Sequence, residues 1–348
     1  MLNFFKNYTS TLAFIFIAYF FYREIPFYQN FLIKDLNIKF INLNFNTLII
    51  YKAIIISYII LLIPFYTYLE NEKSKARKII NYIIKKIYNL KYKISKDEKI
   101  SILSWIVKLF FIPLMILWLT LHVSTMLNNI YYSYNDISFL TTEFYLYFNK
   151  HLFWLLLSFI LFLDLLFFTL WYLIESSKFK NKIKSVDSTF IWWFVVLICY
   201  PPLNSYTTDL IWWYSVNFPF FNNMYIHLIL NISILILMWI YTRASVSLWL
   251  KASNLTNRWI INKWPYKYVR HPAYISKNLA WWIGWLPLLI WNLYNLDLKN
   301  FFIVLFSLII WTFIYYLRAI TEEKHLSKNK DYVKYKENIK YKFIPKIY

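Results

Sequence analysis

Runs of apolar residues recur along the chain at roughly 7–22, 46–69, 101–122, 150–173, 189–203, 225–248, 275–291 and 301–318. A helix needs about 20 such residues to cross the hydrocarbon core of a bilayer, and most of these runs reach or approach that length. The pattern predicts an all-α fold, a polytopic transmembrane helical bundle of about eight spans. Two runs are irregular. The one at 189–203 is short and ends in Tyr200-Pro201-Pro202, so it is expected to tilt, thin the bilayer or only dip into it. The one at 275–291 carries Gly284 and Pro287, which a helix in lipid tolerates when its neighbours satisfy the freed carbonyl.

The polar stretches between the runs alternate in charge. Residues 70–100, 176–187 and 251–274 are rich in Lys and Arg, whereas 123–149 and 201–224 contain neither. Positive loops stay in the cytoplasm, so the first set is predicted to be cytoplasmic, the second to face the other side, and both termini to be cytoplasmic. Within the first set, residues 76–94 have the pattern of a basic amphipathic helix lying on the membrane surface. The Trp pairs 192–193, 212–213 and 281–282 suit the aromatic belt at headgroup depth. Residues 12–22 run into Arg23 and Glu24 with no small-residue cleavage site, which argues against a removable leader.

Composition adds exclusions. The net charge is +21, but the cations sit where membrane topology needs them, so anionic lipid is the expected partner and nucleic acid is not. Lys outnumbers Arg 32 to 6, a bias typical of an AT-rich genome, and each arginine is correspondingly informative. One glycine in 348 residues rules out the glycine-rich turns that cradle phosphates and dinucleotides. One cysteine and five scattered histidines give no metal site and no disulfide framework. Composition and the lack of organelle signals point to a bacterial inner membrane.

Three polar features stand inside or beside the apolar runs. Asp164 lies deep in the fourth run, where it is either a proton or cation site or the structural partner of a buried amide or hydroxyl. The stretch from Lys263 to Tyr274 places Arg270 and His271 just before Pro272, which disfavours helix before it and suits a first helical turn. Their amide N–H groups at a helix entrance are expected to welcome a carboxylate or phosphate. Tyr274, Lys277, Asn278 and Trp281 follow on one helix face. A nucleotide-sized pocket and a basic stop at the membrane interface both account for this stretch. At the end of the last run, Tyr315, Arg318, Glu322 and His325 form a polar stripe, with Glu323 beside it. Arg four residues ahead of Glu is the weaker order for a helical ion pair, so the guanidinium is expected to serve something planar.

Taken together, Tyr268-Val-Arg-His-Pro-Ala-Tyr274, a hydrophobic hairpin, Arg318-x-x-x-Glu322-Glu323, Asp331-Tyr332-x-x-Tyr335 and a final Tyr341-Lys-Phe-Ile-Pro345 resemble the integral membrane methyltransferases. That family includes isoprenylcysteine carboxyl methyltransferase and phospholipid N-methyltransferase. The resemblance covers residues 225–348 and divides the chain there; residues 1–224 form an amino-terminal transmembrane region outside it. It implies a helical core closed at its cytoplasmic end by the carboxyl-terminal segment 331–348, holding S-adenosylmethionine and transferring its methyl group to a lipid or other hydrophobic acceptor. Contacts to the cofactor would come from Tyr268, Arg270, His271, Pro272, Tyr274 and Asn278, with Glu322 pairing its amino group. Arg318 would sit nearest the acceptor, and Glu323 would take a proton if the acceptor is an amine. Two other readings stand beside this one: a sterol-reductase-like enzyme using NADPH, and a non-enzymatic transporter or assembly protein.

Overall fold

The computed structural model of the protein describes residues 2–69, 72–136, 143–211, 219–251 and 254–346, and most of these are helical. The chain opens with α1 (Leu2–Glu24) and the short α2 (Pro26–Leu32). A hairpin follows, β1 (Asp35–Ile38) against β2 (Leu43–Asn46), in a loop where the hydrophobic pattern indicated no element. Next come α3 (Thr47–Tyr68), α4 (Lys75–Tyr88) and α5 (Lys96–Asn135). α4 is the basic amphipathic helix expected over 76–94, and it packs on α1 and α5. Phe144–Leu173 is one continuous helix of 30 residues, made of α6 (Phe144–Tyr147), a π-helical turn at Phe148–Leu152 and α7 (Phe153–Leu173). The remaining helices are α8 (Phe190–Leu197), α9 (Leu203–Ile211), α10 (Met224–Ser247), α11 (Pro272–Tyr294), α12 (Leu298–Leu326) and α13 (Lys330–Asn338). A two-residue pairing joins β3 (Ser185–Val186) to β4 (Thr256–Asn257).

Local chemistry explains the boundaries. α5 starts with a capping box: the Ser95 hydroxyl accepts from the Glu98 amide and the Glu98 carboxylate accepts from the Ser95 amide. At ~1.5 Å per residue this helix is about twice as long as a hydrocarbon core is thick, so it extends beyond the apolar layer. Asn46, Asn223 and Asp297 cap α3, α10 and α12 through their side-chain oxygens.

Among the described residues five helices are long and apolar enough to cross a membrane: α3, α5, the α6–α7 helix, α10 and α12. Their outer faces carry Ile60, Ile229 and Phe306, each more than half exposed, as a surface in lipid requires and one in water would not tolerate in such numbers. α1 and α11 have 23 residues each and lie among them but are less apolar. The run at 189–203, expected to tilt, thin the bilayer or only dip into it, is broken in two. α8 is only eight residues long, because proline at 201 and 202 cannot donate to a helix and biases Tyr200 away from it. α8 and α9 instead run in tandem along α12. The Trp192 ring lies 5.1 Å from His325 near one end of α12, while the Ser307 hydroxyl donates to the Ile211 carbonyl further back. The α12 stretch between those contacts is about 27 Å at ~1.5 Å per residue, close to a membrane thickness covered by two pieces.

The core lies where α5 and α7 meet, around Val107, Phe111, Leu114 and Tyr172, with α8 contributing Trp192 and Val196. A second cluster joins α11 to α12 through Trp281, Trp285, Leu308 and Trp311. Trp192 and Trp281 are therefore packed inside the bundle rather than belonging to an interfacial belt, and the pair at 212–213 falls outside the described residues. α10 packs on both α7 and α11, so residues before and after 224 share one interior. Asn231 of α10 donates to Asn149 at 2.8 Å across that seam, an amide bridge of the kind that ties helices together in lipid.

Candidate functional site

α11 begins at Pro272, a residue that has no N–H to lose at a first helical turn. The two residues before it are held by the carboxyl-terminal segment. The Arg270 amide donates to the Tyr341 carbonyl and the His271 amide to the Lys342 carbonyl, both at 3.0 Å. The Arg270 guanidinium reaches the carbonyls of Ile339 and Lys340 at 2.8 and 2.7 Å, and the Tyr335 hydroxyl donates to Tyr266. The anion expected at this helix entrance is thus replaced by peptide carbonyls. The tail supplies the negative ends of its own dipoles, so those N–H groups are not open to a ligand.

The end of α12 meets this assembly with two adjacent carboxylates that point about 100° apart, as consecutive helical residues must. Glu323 turns toward the tail. It accepts from Arg270 Nε at 2.7 Å and lies 3.1 Å from His271 Nε2 and 3.7 Å from Lys336 Nζ. Glu322 turns toward α11 and accepts from the Tyr274 hydroxyl at 2.7 Å. Its side chain is 30% exposed against 7% for Glu323, so one carboxylate is enclosed by cations and the other has open faces. The His271 ring stacks flat on Tyr274, centroids 5.4 Å apart, and fixes that phenol in place. On α13, burial and the nearby Glu323 and Glu322 push the Tyr332 phenol well up, so it stays neutral.

One turn back along α12, Arg318 is buried between the rings of Tyr274 and Tyr315, its guanidinium carbon 5.2 and 4.9 Å from their centroids. Its Nη2 donates to the Asn254 side chain at 3.2 Å, and Asn254 in turn donates to the hydroxyls of Tyr172 and Tyr200. Arg318 Nε is buried with no hydrogen-bond acceptor among the described residues. A guanidinium edge left open in this way is suited to an oxygen from a ligand.

These groups line a cavity of about 120 Å³ that includes Arg270, His271, Tyr274, Arg318 and Glu322. It shares Tyr200, Tyr241, Lys277 and Tyr315 with a larger cavity of about 490 Å³, walled by Met115, Trp118, Leu161 and Phe168. Lys277 and Asp164 face the larger space, and Tyr241 links them: its ring lies 5.3 Å from Lys277 Nζ and its hydroxyl donates to Asp164 at 3.1 Å. Asp164 is therefore not isolated, since a cation from α11 answers it across the bundle.

Of the residues singled out from the motifs, Arg270, His271, Tyr274, Arg318 and Glu322 come together around the small cavity. Pro272 and Asn278 are buried just behind it; Asn278 donates to the Tyr274 carbonyl at 2.8 Å. Glu323 lies in the tail clamp. Tyr268 is half exposed with Lys267 over its ring, apart from the cavity. His325, expected on the same stripe as Arg318, turns away to Asp187 and Ser185, at 2.8 and 2.9 Å. Sequence reasoning missed Tyr200, Tyr241 and Asn254. Only Lys277 carried a signal, a lone cation within an apolar run. No protein family, curated protein or solved structure matches the chain.

Proposed function

We propose that the chain is an S-adenosylmethionine-dependent methyltransferase acting on a lipid or other hydrophobic acceptor at the cytoplasmic face of a membrane. The bacterial inner membrane is the proposed host, with both termini in the cytoplasm. The reading is carried by one observation: the start of α11 and the end of α12 meet around a polar chamber that shares lining residues with a larger one, walled mostly by aliphatic and aromatic residues with Asp164 and Lys277 among them. A charged, water-soluble donor suits the first and a hydrophobic acceptor the second.

The residues present fit such a donor. Glu322 has open faces for an ammonium group, and five tyrosines offer rings to a sulfonium. Acids and cations alternate along the two cavities, Glu322 and Arg318 in the smaller and Asp164 and Lys277 in the larger, so groups of either sign on a ligand meet a counter-charge. When bound, the donor supplies an electrophilic methyl on a positively charged sulfur.

The protein's share is positioning and the exclusion of water. The Arg270–Glu323 clamp holds the tail over the chamber, and His271 and Tyr274 set the direction of Glu322. Arg318, between its two tyrosines, orients an acidic acceptor by a charge-assisted pair. With Glu323 engaged by Arg270, His271 and Lys336, Asp164 is the carboxylate that would take a proton from a protonated acceptor.

Titration of the purified protein in detergent with S-adenosylmethionine and with NADPH tests the reading. Micromolar binding of the first supports it. Binding of NADPH alone overturns it in favour of a reductase, and binding of neither in favour of a non-enzymatic role. Mass spectrometry of lipid extracts incubated with a labelled methyl donor then identifies the acceptor.

A further inference from the structure

Glu175, Lys75 and Lys108 of residues 1–224, with Arg258 from beyond them, make a second buried cluster of charge that the proposed reaction does not use. Glu175, just past α7, lies 2.7 Å from Lys75 Nζ of α4 and 3.0 Å from Lys108 Nζ of α5, and all three side chains are nearly buried. Arg258 is buried alongside, close enough to act electrostatically on Glu175. Three cations share one carboxylate. Burying an uncompensated charge is costly, so the cluster calls for a further negative group. Burial draws the Lys75 ammonium down to about 7, as expected of a cation short of counter-charge.

The cluster opens into a cavity of about 130 Å³. Its polar end is lined by Lys73, Lys75, Lys78, Lys108 and Lys182 against two acids, Glu72 and Glu175, so a positive excess remains there, and Ser74 and Ala76 at the start of α4 add the positive end of a helix dipole. From there the walls turn apolar and run between α1, α3 and α5 past Ile15, Ile54, Ile112 and Tyr22. Lining residues extend from Thr11 to Tyr22 on α1, about 16 Å of helix at ~1.5 Å per residue. A cavity of about 150 Å³ holds a benzene-sized molecule, so this one seats a short length of one hydrocarbon chain and has no room for a second.

We infer that this slot binds an amphiphile with a single acyl chain and an acidic head, the head seated between Lys75 and Lys108 and the chain lying along Ile54 and Ile112. A carboxylate and a phosphate monoester share the required chemistry. The inference stands apart from the methyltransferase reading, because none of the groups named lines the chamber around Glu322.

The test uses the full-length protein, stripped of lipid in detergent at pH 7 and titrated with oleate, lysophosphatidic acid, oleyl alcohol and inorganic phosphate. Both acids are expected to bind at least tenfold more tightly than the alcohol, and the tighter of the two identifies the head as carboxylate or phosphate. Lys75→Met with Lys108→Met should abolish the preference for acids. Ile54→Trp, which fills the slot and leaves the cations in place, should weaken both acids at least tenfold with thermal unfolding unchanged. Equal binding of oleate and oleyl alcohol overturns the inference. So does inorganic phosphate binding as tightly as the acids, or Ile54→Trp binding like the parent.

Discussion

The two buried charge clusters, one around Glu175 and one around Glu322 and Glu323, join glutamates to cations in different proportions. Around Glu175, Lys75, Lys108 and Arg258 share one acid, and a positive remainder is left. Around the α12 carboxylates, one acid is fully engaged by Arg270 and His271 while the other keeps open faces beside Arg318. An unbalanced cluster selects for a ligand of opposite sign. A balanced one admits a ligand carrying both signs, and divides its residues between holding the fold and meeting that ligand.

The sharpest test of that division compares the adjacent glutamates. Glu323→Gln strands the Arg270 guanidinium and is expected to cost about 3 kcal/mol of stability, since removing one partner of a buried ion pair leaves the other uncompensated. Thermal unfolding in detergent reads the loss, and limited proteolysis should show cleavage near residues 339–346. An unchanged melting temperature would remove the clamp from the argument. Glu322→Gln should do the reverse. The protein should melt as before while affinity for S-adenosylmethionine falls about a hundredfold, close to 2.7 kcal/mol, as expected when a charged pair is lost in a desolvated site.

The cationic cluster makes its own prediction through pH. The folded pKa of Lys75, about 7, lies below the ordinary lysine value, so between pH 7 and about 10 the unfolded chain holds more protons than the folded one. Stability in lipid-free detergent should therefore rise with pH across that window, by up to about 1.4 kcal/mol per pH unit for one proton, with the full penalty present below it. Glu175 stays ionised throughout, because its cation neighbours outweigh the effect of burial and hold it far below the carboxylate range. Lys108 and Asp97 of α5 and Arg258 after β4 also act on Lys75. The slope should vanish in Lys75→Met; a slope that persists there would assign it to another group.

Smaller effects refine the chamber. Tyr274→Phe removes one hydrogen bond to Glu322 and should weaken S-adenosylmethionine binding about fivefold, near 1 kcal/mol. Lys267→Ala, at a side chain that only covers the exposed Tyr268 ring, should change it less than twofold. Equal losses in the two variants would mean that the whole 263–274 stretch acts as a membrane anchor.

Much of the fold was legible because its signals are local. Apolar runs located the five long helices, and proline marked both the start of α11 at Pro272 and the break between α8 and α9. The hairpin at 35–46 escaped because its strands are four residues each and no turn signature separates them. The site was legible in part. Arg270, His271, Tyr274, Arg318 and Glu322 were picked out by spacing, yet spacing also placed His325 on their stripe, and it turns to Asp187 instead. Tyr200, Tyr241 and Asn254 escaped because each comes from a different element, and nothing near them in the chain distinguishes them from other tyrosines and asparagines of a membrane protein.

Helix and membrane character follow from residue type and period within about twenty neighbouring positions, which is why the chain alone settles them. Charge partnership is different in kind. Arg270 and Glu323 are 53 residues apart, and Lys75 and Glu175 a hundred. Which of two neighbouring glutamates is locked and which stays open was decided only when the tail carbonyls took the amides of Arg270 and His271. A buried charge is stabilised by whatever the folded bundle brings within a few ångströms, and that neighbourhood exists only once the helices have packed.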